Sequence, residues 1–135
     1  MLYLLIAIQI LKHTRPNMDR LTKIVDEIVQ FRDRRDWKQF HSPRNLSTAL
    51  GIEVAELQEL LLWKSDKEVD SLLAKEENKK EFAKEIADIL IFTLLLCYQT
   101  GIDPIEAMRS KLNENAKKYP VDLSKGKATK YNRLK

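Results

Sequence analysis

The sequence predicts an all-α protein, arranged as a four-helix bundle. It contains only 3 glycines and 4 prolines among 135 residues, too few for a turn-rich β fold. Apolar residues recur every three or four positions over four segments, which is the spacing that lets one face of a helix meet a core. A chain of this length is expected to build one compact domain rather than two.

Four long helices are predicted, separated by short joints. The clearest start is Asp103-Pro104, where an N-cap aspartate precedes a proline at the first helical position. Residues 65–80 are predicted as a short helix or a loop. The predicted bounds are Met18 or Asp19 to about Arg34, Asn45 or Ser47 to about Trp63, about Lys79 to Thr100, and Asp103 to about Tyr119.

Residues 1–17 precede the helical domain, which is predicted for residues 18–120. The apolar run of this extension is shorter than the roughly 20 residues of a membrane span, and its basic residues follow the run instead of preceding it as in a signal peptide. It is either an extra helix or an upstream extension of a chain that starts at Met18. The single cysteine, Cys97, fits a reducing compartment, so a cytoplasmic protein without a membrane partner is expected.

Residues 121–135 are predicted as an irregular basic tail. The net charge is +4, and the excess is partly concentrated near this end. A solvated tail and a surface for nucleic acid or nucleotide phosphate are both consistent with such a charge run. The charged residues concerned are Lys117, Lys118, Lys125, Lys127, Lys130, Arg133 and Lys135, against Asp122.

The second predicted helix carries acids where its apolar face should lie. In IEVAELQELL, Glu53 points into the apolar stripe and Glu56 borders it, whereas Glu59 drifts away. The third helix repeats the pattern in EIAD, where Glu85 and Asp88 are also three residues apart on an apolar face. Four carboxylates are therefore expected to converge in the core.

A cation is expected among these carboxylates, because burying unpaired charges costs several kcal/mol or more. An all-oxygen ligand set favours Mg²⁺ or Mn²⁺ over Zn²⁺. Neither His13 nor His41 is placed to complete a di-iron site. Since Mg²⁺ readily takes phosphate oxygens, a phosphorylated substrate is predicted. Acidic pairs on helices are also common on solvated faces, but two pairs on apolar faces favour the metal.

The two acidic motifs, EVAE and EIAD, resemble those of the MazG-like all-α nucleoside triphosphate pyrophosphohydrolases. Three flanking segments are similar to the dCTP pyrophosphatase branch of that family. They are RDWKQFHSPRNL before the first motif, LLWK after it, and KLNENAKKYP on the last predicted helix. The resemblance runs from about Met18 almost to the C-terminus.

The resemblance implies hydrolysis of a nucleoside triphosphate between its α and β phosphates, which yields the monophosphate and pyrophosphate. By the same resemblance, Glu53, Glu56, Glu85 and Asp88 bind Mg²⁺, which Mn²⁺ could replace, and Glu56 is the base that activates water. A homotetramer or a homodimer with pockets near subunit interfaces is also implied. No stable nucleic-acid partner is expected.

Further substrate contacts follow from the resemblance. Aromatic rings and polar groups are expected to shape the base pocket, and one face of the last helix is expected to contact phosphate and sugar. Lys111 alone would otherwise be an ordinary surface lysine, and Trp63 an ordinary core residue. The base-pocket residues are Trp37, His41, Asn45, Trp63 and Phe92, and the residues of the last helix are Lys111, Asn115 and Tyr119.

The sequence departs from relatives of this branch at several positions. Ile52 and Ala55 stand where relatives often have glycines, Phe92 replaces a tyrosine, Ile28 replaces a histidine, and Asn113 replaces an aspartate. The substrate is therefore expected to be dCTP or a related, modified or other pyrimidine nucleotide, without a fixed preference for cytosine.

Two other classes of protein remain open from the sequence. The basic tail and the aromatic residues are also typical of a non-catalytic module that binds nucleotides or nucleic acid, although four carboxylates would repel a phosphate backbone unless metals intervene. The other class is a purely structural helical oligomer, with its acids paired to lysines across an interface. Loss of turnover on replacing the carboxylates is expected only if the protein is an enzyme.

Overall fold

A computed structural model describes residues 18–134, with side chains from Arg20 onward. The predicted extension, residues 1–17, lies outside the described residues. The described chain contains six α-helices and two 3-10 turns, and no strand occurs within it. The helices are α1 (Met18–Asp33), α2 (Pro43–Leu61), α3 (Asp66–Leu73), α4 (Glu76–Thr100), α5 (Pro104–Lys118) and α6 (Val121–Ser124), and the 3-10 turns are Trp37–Phe40 and Tyr131–Arg133.

The predicted start of α5 is confirmed in detail. Asp103 Oδ1 accepts hydrogen bonds from the backbone N–H groups of Ile105 and Glu106, at 2.8 and 3.1 Å, and Pro104 occupies the first turn. Just before it, Gly101 adopts a φ of +68° after the end of α4, a conformation in which glycine is unstrained.

The predicted cap of α2 is wrong. The N-cap is Ser42, whose Oγ accepts a hydrogen bond from the Asn45 backbone N–H at 3.2 Å. Pro43 occupies the first turn, where its missing N–H removes no helical hydrogen bond. The helix therefore begins at Pro43. Asn45 lies inside α2, and its side-chain amide donates to the Phe40 carbonyl at 2.9 Å.

The short helix that was one of the two predicted alternatives for residues 65–80 is confirmed, whereas α4 begins earlier than the predicted Lys79. Residues 65–80 form α3 and the first turn of α4, and a Glu68 oxygen accepts from both Ser65 N–H and Ser65 Oγ at 2.7 Å, which fixes the start of α3. The tail is also more regular than predicted, since it contains α6 and the second 3-10 turn. Ser124 helps close α6 because its Oγ donates to the Pro120 carbonyl at 2.7 Å.

The main packing of the first part of the chain joins α2 to α4, and both α1 and α3 also contact α4. Leu46 on α2 and Leu95 on α4 are buried apolar residues. The apolar stretch of α4 is not fully covered within a single chain, because Ile86 and Leu90 are exposed. An α4 face therefore remains apolar and uncovered.

The contacts divide the chain into two compact units, one ending at Thr100 and the other beginning at Gly101. The second unit contains α5, α6 and the second 3-10 turn. Within it, the rings of Tyr119 and Tyr131 meet edge to face at 6.0 Å, and Lys118 Nζ lies 5.4 Å from the centre of the Tyr131 ring. The basic tail is thereby held to the end of α5.

No single helix in residues 18–134 is long and apolar enough to cross a membrane. Only α4 and α5 taken together meet the length and composition of a span.

Candidate metal centre

The α2–α4 pair brings acidic side chains of the two predicted motifs together. Glu53 and Glu56 are three residues apart on α2, and Glu85 faces them from α4. One carboxylate oxygen of each residue lies within 4.8 Å of the others. Glu53 and Glu85 are half-buried, whereas Glu56 is exposed. Three of the four predicted ligands therefore meet at one place.

The group is electrostatically unbalanced. None of its three carboxylates forms an ion pair or a hydrogen bond with another described residue, and Glu85 Oε2 is buried without a hydrogen-bond partner. Burial raises the pKa of Glu53, and the charges of Glu56, Asp88 and Glu85 raise it further. Lys84, next to Glu85, is already paired with Glu81 at 2.7 Å.

Asp88, the fourth predicted ligand, lies outside this tight group but close enough for its charge to act on Glu53. Its side chain is exposed, as is that of Glu56. The prediction that all four carboxylates lie in the core is therefore wrong for the single chain. The group therefore combines half-buried acids, Glu53 and Glu85, with solvent-exposed ones, Glu56 and Asp88.

The residues present fit a divalent cation. Three carboxylate oxygens lie close to one another, one buried oxygen has no hydrogen-bond partner, and one carboxyl has a raised pKa. These features are typical of a cation site whose positive charge is not supplied by the chain. The all-oxygen set matches hard cations. Glu53, Glu56 and Glu85 could therefore hold a metal ion.

The predicted aromatic and polar contacts begin at the N-terminal end of α2. Trp37, which is 43% exposed, lies in the first 3-10 turn. His41 is half-buried with Nδ1 buried and without a hydrogen-bond partner, and its pKa is lowered by burial and by the charge of Arg32. The imidazole is therefore biased toward its neutral form. The side-chain amide N–H of Asn45 donates to the Phe40 carbonyl. Its side-chain oxygen is left for other partners.

The predicted residue Trp63 lies beyond the opposite end of α2. It is 93% exposed and has a φ of +63°, which is unusual for a large side chain. No described ring contact involves its indole. The alternative that Trp63 is a core residue is wrong for the single chain. Phe92, one turn beyond Asp88 on α4, is half-buried.

In the second unit, α5 places Lys111 and Asn115 one turn apart, and Tyr119 caps the end of the helix. Lys111 Nζ is 2.8 Å from a Glu114 oxygen, and Lys118 donates to the other oxygen of the same carboxylate. These hydrogen bonds and charges lower the pKa of Glu114 to about 2. Lys111 is thus held by Glu114 on the surface of α5.

Two cationic residues were missed by the sequence reasoning. Arg32 is 2% exposed, and its Nε donates to Asp33 Oδ1 at 2.7 Å. Its Nη2 forms an ion pair with the same oxygen at 2.7 Å, and its guanidinium lies 5.5 Å from the Tyr98 ring centre. Arg35 stacks on the Phe31 ring at 3.6 Å. The signal available for Arg35 was its place between Phe31 and Trp37, at the start of the segment RDWKQFHSPRNL. Nothing in the sequence marks Arg32 as buried.

A cavity of about 430 Å³ lies apart from the carboxylate group, at the junction of α3 and α4. None of the predicted site residues lines it. Its lining residues are Ser65, Lys67, Glu68, Ser71, Leu72, Lys75 and Asn78.

Comparison with known families agrees with this fold. The model of the MazG-like family matches residues 48–134, which include both acidic motifs, and the chain belongs to this family. The predicted resemblance and the predicted MazG-like all-α fold are thereby confirmed.

Particular relatives are similar over most of this chain. The chain is 42% identical over 106 residues to dCTP pyrophosphatase 1 of Rattus norvegicus and of Mus musculus, with 78% of this chain and 62% of each relative covered. The corresponding human protein is 37% identical over the same length. The chain therefore spans less than two thirds of the length of these relatives.

A solved structure, that of a pyrophosphatase from Archaeoglobus fulgidus DSM 4304, is also similar. It is 43% identical to this chain and superimposes with a TM-score of 0.68, covering 80% of this chain and 96% of that one.

Proposed function

We propose that this protein is a metal-dependent nucleoside triphosphate pyrophosphohydrolase. It would act on dCTP or on related or modified pyrimidine triphosphates, releasing the monophosphate and pyrophosphate as housekeeping of the nucleotide pool. The observation that carries the proposal is the unbalanced group of Glu53, Glu56 and Glu85 between α2 and α4. The names of the similar proteins support the reaction and the substrate class.

The proposed ligands of Mg²⁺, or of Mn²⁺ in its place, are Glu53, Glu56, Glu85 and Asp88. When bound, the cation would neutralise phosphate charge and stabilise the charge that develops on the transferring phosphoryl group. Glu53 must be ionised to serve as a ligand, and its raised pKa means that protons compete for it. Asp88, which is exposed and near Glu53, is free to turn toward the same ion.

Glu56 is the proposed general base because it is the exposed member of the tight group. Its carboxylate would accept a proton from water as the water oxygen bonds to the α phosphorus. The bond between that phosphorus and the oxygen bridging to the β phosphate breaks, and pyrophosphate leaves with the bonding electron pair. A carboxylate that is reachable by solvent can orient such a water and then return its proton to solvent.

Substrate recognition is proposed for the residues that flank the carboxylates. Trp37, Trp63 and Phe92 would contact the base through their rings, while His41 and Asn45 would offer hydrogen bonds to its edge. Neutral imidazole suits this role, since one ring nitrogen donates and the other accepts. In the second unit, Lys111, Asn115 and Tyr119 are the proposed contacts to phosphate and sugar.

A homotetramer or a homodimer is proposed because the proposed base-binding residues lie far apart within a single chain. His41 precedes α2 and Trp63 follows it, and the helix between them is about 27 Å long at a rise of about 1.5 Å per residue. A single base cannot contact both in the same copy. The exposed apolar side chains of α4, including Ile86 and Leu90, offer a surface for a second copy. Light scattering would give the number of subunits.

A cytoplasmic location is proposed together with the reaction, because the half-buried free thiol of Cys97 suits a reducing compartment.

The proposal is tested by a panel of triphosphates incubated with Mg²⁺ and the purified protein. Pyrophosphate release, fastest with dCTP or another pyrimidine nucleotide, is the expected result. Orthophosphate as the initial product, or no turnover of any nucleotide, would overturn the reaction. Tight binding of oligonucleotides without turnover would instead favour the non-catalytic binding module.

A further inference from the structure

The end of α1 and the following 3-10 turn form a compact group, here called the Phe31–Arg35–Trp37 stack. The Arg35 guanidinium carbon lies 3.6 Å from the centre of the Phe31 ring and 5.8 Å from that of Trp37. The two rings meet edge to face at 5.9 Å with an interplanar angle of 75°. Arg35 therefore contacts the face of one ring and borders the other.

The backbone between Arg35 and Trp37 is also fixed. Asp36 adopts a φ of +54°, which aspartate tolerates better than most residues. Gln39 Nε2 donates to the Asp36 carbonyl at 2.9 Å and to Asp36 Oδ2 at 2.8 Å. Arg35 Nη1 donates to the Phe31 carbonyl at 2.9 Å, which satisfies a carbonyl near the end of α1. These bonds direct Trp37 back toward Phe31.

Core packing does not explain this arrangement. Phe31 is 51% exposed and Trp37 is 43% exposed, so much of each ring faces solvent. Arg35 forms no ion pair with an acid in the described part of the chain. An exposed tryptophan would ordinarily sample several rotamers, yet this one is restrained by a ring, a guanidinium and a clamped turn. Such restraint lowers the entropy lost when a flat ligand stacks on the ring.

We propose that Arg35 is a positioning residue that holds the Trp37 ring, through Phe31, in the orientation that receives the nucleotide base. The inference deepens the proposed function and rests on it. Arg35 acts through its planar guanidinium, which can stack on a ring, and its charge alone is not sufficient. Lysine should therefore not replace it, because an ammonium is a compact point charge without a stacking plane.

The first measurement follows the Trp37 ring directly in the full-length protein. The chain has two tryptophans, so protein labelled with 5-fluorotryptophan gives two fluorine resonances, and Trp63→Phe assigns them. Arg35→Lys and Phe31→Leu should each shift and broaden the Trp37 resonance and leave that of Trp63 in place. Arg34→Lys is the matched control, because Arg34 is also exposed and its side chain, among residues 20–134, donates only to the Gln30 side chain, at 3.5 Å.

The second measurement is steady-state kinetics with the best triphosphate and Mg²⁺. Arg35→Lys and Phe31→Leu should each raise KM roughly threefold to tenfold, a fraction of what a stacked base contributes, while kcat changes by less than about twofold. Arg34→Lys should leave both constants unchanged. Circular dichroism checks that every variant keeps its helices.

The possible outcomes separate the two proposals. A wild-type protein that turns over no triphosphate overturns the proposed function and the role of Arg35 with it. If the wild-type protein is active, an unchanged Trp37 resonance in Arg35→Lys, or an unchanged KM despite a shifted resonance, overturns the positioning role alone. A normal KM in Arg35→Lys with a raised KM in Arg35→Met would assign Arg35 a role through charge, which also overturns the inference.

Discussion

Two groups of acids in this chain have opposite electrostatic environments. Glu53 faces other carboxylates without a cationic partner, and burial together with their charges raises its pKa. On α5, Glu114 accepts hydrogen bonds from Lys111 and Lys118, which lower its pKa to about 2. Both are glutamates on helices, so residue type and spacing do not distinguish them. The difference is whether the chain supplies the positive charge, and only the first group requires it from outside.

The largest expected effect is the loss of activity when Glu56 is replaced, in contrast to Glu59 on the same helix. Glu56→Gln should reduce pyrophosphate release by at least about 100-fold, because the amide cannot accept the proton of the attacking water and is a poorer metal ligand. Glu59→Gln is the matched control, since Glu59 is on the same helix but outside the carboxylate group. Full activity in Glu56→Gln, with its helices intact by circular dichroism, would remove Glu56 from the mechanism.

A moderate effect is expected on stability when divalent cations are chelated. Glu53→Gln should then raise the melting temperature by a few degrees at mildly alkaline pH, because it removes one of several mutually repelling charges. Since the folded-state pKa of Glu53 is above its ordinary 4.5, the folded wild-type protein binds the extra proton as the pH falls through that raised pKa and is stabilised by it. The advantage of the variant should shrink over the same pH range.

Added Mg²⁺ should make the wild-type protein melt at a higher temperature than Glu53→Gln. Added Mg²⁺ stabilises the folded wild-type protein by mass action, and Glu53→Gln should respond less because it has lost a ligand. Differential scanning fluorimetry of both proteins, with chelator and with Mg²⁺, makes the comparison. A variant that melts below the wild-type protein in chelator, or that gains as much from Mg²⁺, would contradict an unbalanced metal centre.

The smallest effect on stability is expected for Glu114, whose charge is balanced by two lysines. Glu114→Gln should lower the melting temperature only slightly at neutral pH, because exposed ion pairs contribute little and salt weakens them. With a folded-state pKa of about 2 against an ordinary 4.5, the contribution of Glu114 is present above pH 4.5 and is lost as the pH falls toward 2. Mg²⁺ should not change the difference. Glu81→Gln, which breaks a single pair with Lys84, is the control.

The approach of Glu53, Glu56 and Glu85 to one another was largely predictable, because the pattern that produces it is local. Helical spacing places Glu53 and Glu56 on one face, and the repeat of the pattern in the third predicted helix indicated that Glu85 would face them. How deeply each acid lies depends on the side chains packed around it, which spacing does not determine. Glu56 and Asp88 are therefore exposed, although the sequence placed them in the core.

Helix ends were predicted where the cap and the first turn agree, as at Asp103. Ser42-Pro43 has the same cap chemistry, yet the predicted start of the helix was Asn45 or Ser47, further along the chain. The burial of Arg32 could not be predicted, because it results from contact with Tyr98, which is distant in sequence. The Phe31–Arg35–Trp37 stack likewise depends on the left-handed turn at Asp36.

The backbone of Trp63 has a consequence for how freely this position could vary. A residue other than glycine with left-handed backbone geometry costs about 1 kcal/mol or more, and an indole that is 93% exposed recovers none of it by burial within its own chain. On folding stability alone, glycine or asparagine would suit this position better. An engineer who optimised the isolated chain for heat resistance would replace the tryptophan, and would thereby discard the base contact that we propose a neighbouring copy receives.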